Sequence, residues 1–173
     1  MITAIAITAV VAYAIWAHNR LVDGRNRIGN AWAQIDVQLH RRSDLVPNLV
    51  ATVKGYIAHE SEVLEAVAEI RRQIDAAGND VSARVAAEDD LARSLGFMVS
   101  RAEAVPQLRA SDNFLILQEE LRTTENRIGF ARQHYNDSVM RYNVMIATFP
   151  TNLIAGLFAF KPATMFSARE EVM

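Results

Sequence analysis

No cysteine occurs in the 173 residues, and there are only four prolines and seven scattered glycines. Without a thiol there is no cysteine nucleophile, no thiolate metal site and no disulfide. The same absence agrees with a reducing compartment. So few prolines and glycines leave long stretches free to be helical. Charge is missing from the first 17 residues, where Thr3, Thr8 and the Tyr13 phenol are the only polar groups. No basic residue precedes this run, as one usually does in a secretory signal. The net charge of −2 argues against a nucleic-acid partner, which needs a basic face.

Catalytic groupings are missing too. There is no glycine-rich phosphate loop and no Gly-x-Ser-x-Gly elbow. His18, His40, His59 and His134 are isolated, and no Glu is followed by His at the spacing a di-metal bundle uses. A metal site assembled across helices from His40 or His59 with Glu60 is the alternative to surface histidines. The glutamates at 60, 62, 65 and 69, and at 119, 120 and 125, read as solvated faces. No catalytic residue, cofactor or metal is expected.

What is present is an apolar leader. Ile2, Ile5, Ile7, Val10, Val11, Tyr13, Ile15 and Trp16 would form a membrane anchor. A spanning helix needs about 20 apolar residues, with a lower limit of about 17. Leu21 and Val22 extend the run past Arg20, whose stem can remain in lipid. Tyr13 and Trp16 suit the interfacial belt. Arg20, Arg25 and Arg27 follow the span with only Asp23 nearby, so the N-terminus should face out and the rest should be cytosolic. The alternative is a cleaved signal peptide, since Ala12-Tyr13-Ala14 has a small-x-small pattern.

Behind the leader, 51 % apolar composition supports one all-α domain with a real core. Four helices are expected: from the membrane to about Arg42, from Asp44 to near Ala77, from Val81 to Ala104, and from an N-cap at Ser111 to Phe149. Pro47 would sit in the first turn of the second, and Gly78-Asn79-Asp80 marks a turn. Phe114, Leu121, Ile128, Tyr135, Tyr142 and Phe149 recur every seven residues, with Leu117, Thr124, Ala131, Ser138 and Met145 as companions. Trp32 and Ile35 belong to a similar stripe on the first helix. Such heptads predict an antiparallel up-down bundle continuing from the single transmembrane helix. Its divisions are an anchor over 1–19, a bundle over 20–160 and a tail over 161–173.

Trp32, Ile35, Leu121, Ile128, Tyr135, Tyr142 and Phe149 are therefore candidates for the bundle seam or a subunit contact. Asn136 and Asn143, each one position past a seam tyrosine, lie at its edge, where an amide can bond across helices and fix register. Glu125, Arg127 and Arg132 are candidates to pair with Arg41, Arg42, Asp44 or Asp36. Arg41 and Arg42, at the expected end of the first helix, suit its dipole. Leu153, Ile154, Leu157, Phe158 and Phe160 would cap the bundle end, touch lipid or meet another subunit.

The run Arg41-Arg42-Ser43-Asp44-Leu45-Val46-Pro47-Asn48-Leu49-Val50, followed by Val53-Lys54-Gly55-Tyr56 and His59-Glu60, resembles the signature of the LemA family. So do Ala31-Trp32-Ala33-Gln34-Ile35-Asp36, Thr124-Glu125-Asn126-Arg127-Ile128, Ala131-Arg132-Gln133, the pairs Tyr135-Asn136 and Tyr142-Asn143, and Phe149-Pro150 with Asn152-Leu153-Ile154-Ala155-Gly156. The resemblance covers about residues 19–161. Two positions depart from the family pattern, His18 after the anchor and Val105 before Pro106, and both look structural. The resemblance implies a membrane-anchored helical protein of the bacterial cytoplasmic membrane with no established catalytic activity. Relatives occur near systems that organise membranes, magnetosome compartments included. The expected partners are the lipid bilayer and further copies of the chain, in a scaffold. The alternative is an adaptor presenting a helical surface to a protease or signalling partner.

Overall fold

The computed structural model describes residues 1–56, 61–77 and 81–166. All regular structure among them is helical: α1 Ile2–Lys54, α2 Ser61–Ala77, α3 Val81–Glu103, α4 Pro106–Arg109, α5 Asp112–Ala147 and α6 Thr151–Leu157. The expected turn at Gly78-Asn79-Asp80, and His59 and Glu60, lie outside the described residues.

The expected break after Arg42 does not exist. Helix α1 continues through Ser43, Asp44 and Pro47 to Lys54, and α2 starts only at Ser61. The cause is an unbroken stripe of buried residues, apolar except at Arg42. Ala17, Leu21, Gly24, Ala31, Ile35, Leu39, Arg42, Val46, Leu49 and Val53 are all buried, at spacings close to 3 and 4 or their sum. Pro47 lies on the exposed side of this stripe, where loss of one backbone hydrogen bond is tolerated because packing holds the turns around it. The helix ends at Lys54-Gly55, where the Tyr56 amide turns back to the Val53 carbonyl at 2.9 Å.

Helix α5 begins as expected. The Ser111 hydroxyl receives the Phe114 amide at 3.5 Å, and Asp112 in the first turn suits the helix dipole. Two short helices went unexpected: α4, which Pro106 opens at its first position, and α6 after Pro150. Beyond α6, Ala159 adopts φ 54° and the Phe160 amide bonds the Ala155 carbonyl at 2.9 Å, closing a Schellman-type end without glycine.

The chain divides into two compact units, and both boundaries fall inside helices. One unit joins Met1–Asp36 to the chain from Gly129 onward; the other is Val37–Ile128. The second has a conventional core drawn from five helices: Val46, Leu49 and Val53 of α1, Val67 of α2, Leu91, Leu95, Met98 and Ala102 of α3, Leu108 of α4, and Phe114, Leu117 and Leu121 of α5. The first has a small core of Leu21, Tyr142 and Ala155, with Ile28, Met145, Ile146, Ile154, Phe160 and Ala163 packed at its edge.

Along α5, Phe114, Leu117, Leu121, Thr124, Ile128 and Ala131 are buried in succession. Tyr135 is then only half-buried, Val139 is fully buried, and Phe149 is 74 % exposed. The stripe read from sequence is buried again at Tyr142, and Phe149 is open because α5 has already ended.

Candidate functional site

In the Met1–Asp36 unit, α1 and α5 run antiparallel. Gly24 packs against Tyr142 and Met145, and the Trp32 and Tyr135 rings stand 5.7 Å apart edge to face. A Cβ on Gly24 would lie 2.7 Å from the Met145 methyl and 3.1 Å from the Tyr142 ring, so the helices approach at a residue with no side chain.

Helix α6 lies against the apolar end of α1. The Tyr13 and Thr151 hydroxyls are 3.1 Å apart, and the His18 ring is 4.5 Å from Phe158 and 5.5 Å from Phe160. From this junction Leu153, Leu157 and Phe158 project into the open, while Ile154 and Phe160 turn to the core. Along α1, Ile2, Ile5, Ile7, Val10, Val11, Ile15 and Trp16 are all exposed and Tyr13 is half-buried. Only 6 % of the most apolar 18-residue window of α1 is buried. The helix is long and apolar enough to cross a membrane, and almost none of that surface is used inside the protein.

Asn136 and Asn143 do not bond across helices; both amides hold the chain that follows α6. Asn143 donates to the Ala163 carbonyl at 2.8 Å and accepts the Ala163 amide at 2.9 Å. Asn136 does the same with Phe166, at 3.0 and 2.7 Å. Each carboxamide presents a donor beside an acceptor, so it pairs with one residue's N–H and C=O as a neighbouring strand would. Seven helical residues rise about 10.5 Å and three extended residues cover about 10 Å, so the spacing of the asparagines sets the tail's register. The Tyr135 hydroxyl donates to the Thr164 carbonyl at 3.0 Å between them. The Phe166 ring lies 4.3 Å from the Arg132 guanidinium and 6.2 Å from Trp32. Burial pushes the Tyr135 phenol above the usual tyrosine range; it does the same to Tyr142, where Arg25 partly offsets it.

In the Val37–Ile128 unit, the salient polar feature is Arg42, whose side chain is 0 % exposed. Its guanidinium donates to the Glu125 carboxylate at 2.9 Å, to the Glu88 carbonyl at 2.8 Å, and to the Glu88 carboxylate. Burial alone would lower the Arg42 pKa, but Glu125 and then Glu88 outweigh it and hold the group charged and above its ordinary value. The helix dipole does not account for Arg42: α1 continues twelve residues past it, and its partners lie on other helices, on Glu88 and Glu125. Of the pairings expected, Arg42–Glu125 forms; Glu88 is a second partner beyond those expected. The phase of its helix carries the signal, because Glu88 precedes Leu91, Leu95, Met98 and Ala102 in one buried row. An arginine and a glutamate in phase with two apolar stripes read as a buried pair.

Among the described residues, no cluster of three or more His, Asp or Glu is placed to hold a metal ion. The described residues present an open apolar face, a clamped tail and a buried ionic lock.

Several known proteins are similar to this chain. Protein LemA of Metamycoplasma hominis is 26 % identical over 152 residues, covering 88 % of this chain and 69 % of that protein. Magnetosome protein MamQ 2 of Paramagnetospirillum magneticum is 22 % identical over 98 % of this chain and 71 % of its own length. Magnetosome protein MamQ of Magnetospirillum gryphiswaldense is 20 % identical, with 95 % and 70 % covered. The LemA family profile matches residues 31–173, taking in the ionic lock, the tyrosine–asparagine pairs and the tail they hold, and the chain belongs to the LemA family.

Proposed function

We propose that this protein is a non-enzymatic, membrane-tethered scaffold whose copies associate side by side to organise a bacterial membrane. The observation that carries the reading is the exposed apolar end of α1, continuous with a helix whose other end builds a well-packed core. A face this apolar is stable only against lipid or protein. Its length suits a bilayer crossing, and the arginines that follow favour an outside N-terminus with the units in the cytosol. The membrane is then the bacterial cytoplasmic membrane. Apolar side chains on the outer face of α5, among them Ile116 and Phe130, offer surface for neighbouring copies. The magnetosome names of two relatives support a part in membrane organisation.

Membrane flotation followed by light scattering and electron microscopy of the solubilised protein tests both halves. The expected result is a protein that floats with lipid and forms a discrete oligomer. A freely soluble protein would overturn the tether, and a strict monomer at every concentration would overturn the scaffold. Crosslinking in native membranes separates self-association from the rival adaptor role, for which one foreign partner would dominate.

A further inference from the structure

Between α1 and α5 of the Met1–Asp36 unit runs a groove of about 820 Å³. Arg20, Arg27 and Arg141 line it against one carboxylate, Asp23, and Met140 and Val144 supply exposed apolar wall. Asp23 accepts an N–H from Arg27 at 3.0 Å, but this pair is solvent-exposed and such pairs contribute little. The Arg20 guanidinium rests 5.1 Å from the centre of the Trp16 ring, so its position is tied to an interfacial aromatic. The groove therefore holds an excess of guanidinium groups, whose planar forks suit phosphate oxygens.

Its depth matters. The apolar character of α1 continues to Val22, and five residues of helix from there to Arg27 rise about 7.5 Å. A headgroup layer is about 5–8 Å thick on each side of the hydrocarbon. Arg27 would thus stand in the layer in which lipid phosphates lie, and Arg20, one turn nearer the hydrocarbon, can reach it along its stem.

We propose that this groove binds the phosphate of an anionic phospholipid from the bilayer in which α1 is anchored, with an acyl chain running along Val144 and Met140. The inference rests on the membrane-tethered reading. An anionic glycerol-type headgroup fits because it brings negative charge and no cation. A choline headgroup would bring its ammonium against three arginines.

The full-length protein is reconstituted into nanodiscs of equimolar phosphatidylglycerol and phosphatidylcholine, then withdrawn into mild detergent, and the co-purified lipids are quantified. Phosphatidylglycerol should be enriched. Arg27→Gln and Arg141→Gln should each reduce the enrichment about fivefold, and together about 30-fold. Both side chains are exposed, so matching melting curves will show that the fold survives. Arg→Lys at the same positions should restore part of the enrichment. Equal retention of the two lipids, or unchanged enrichment in the double variant, would overturn the proposal. Release of the lipid by excess inorganic phosphate would also overturn it, by showing a free-anion site. Failure to enter nanodiscs would remove the tether itself, whereas entry without lipid preference would remove the groove proposal alone.

Discussion

The two units solve opposite problems with the same two helices. In the Val37–Ile128 unit, α1 and α5 turn their apolar stripes inward onto α2, α3 and α4, and even an arginine is sealed away. In the Met1–Asp36 unit the same helices bury a much smaller core and leave isoleucine, valine and phenylalanine outside. The first kind of unit is stabilised by what it packs against itself. On the proposed reading, the second is completed by the bilayer. Apolar residues in the two units differ in their partner rather than in kind.

The largest effect should come from denying the open unit its lipid. Ile7→Arg with Val11→Arg changes insertion by about 3 kcal/mol per site. The protein should shift from the membrane to the soluble fraction, and a core residue such as Leu95 should stay as protected from hydrogen exchange as before. Loss of that protection would mean that the two units do not differ as described.

Next comes the ionic lock. Arg42→Ala leaves Glu88 buried without its cation and should destabilise by about 3–5 kcal/mol in chemical denaturation. Arg42→Met combined with Glu88→Leu should recover most of that loss, since a buried pair exchanged for apolar groups is often neutral. If the single variant melts like the parent, the triad is not structural.

A third comparison sets one leucine against another. Leu95→Ala should cost about 2–5 kcal/mol, whereas Leu157→Ala, measured in detergent, should stay within about 0.5. Equal losses would erase the distinction between packed and open apolar surface.

The tail clamp should be weaker and local. Asn143→Ala removes two hydrogen bonds to Ala163 and should cost about 1–3 kcal/mol. Limited proteolysis should cut sooner near Ala163, while the Leu95 core stays protected.

The smallest effect is a pH dependence. Burial raises the Tyr135 pKa in the folded state, so its neutral form is the stabilising one. That stabilisation is complete below the ordinary tyrosine pKa and is lost as pH rises through the higher folded value. Cleavage near Ala163 should therefore accelerate only in strongly alkaline buffer, and Tyr135→Phe should reduce the dependence to the part that Tyr142 contributes. Acceleration at neutral pH would rule this account out.

How far the chain could be read in advance depends on the distance over which each signal acts. The apolar leader is local, and so are the Ser111 cap and the start of α3. The end of α1 is not legible because Ser43, Asp44 and Pro47 look like a helix boundary nearby, whereas the stripe from Leu39 to Val53 that carries the helix through them needs partners from α2 to α5. Arg42 was visible as a candidate for Glu125 but not as the centre of a triad, because Glu88 comes from a helix 46 residues away. The asparagines could be seen as special by their seven-residue spacing, but nothing in that spacing names Ala163 and Phe166 as their partners.

Sequence by itself determined the helical class and the uncharged leader. Each is a property of composition or of short-range periodicity, which the backbone expresses without distant contacts. Tertiary structure alone decided that α1 runs unbroken to Lys54, that Arg42 is buried between two glutamates and that the asparagine amides hold the tail. Those outcomes depend on which surfaces meet across long stretches of chain, where packing outweighs the modest local preference of a proline, a cap or a charge.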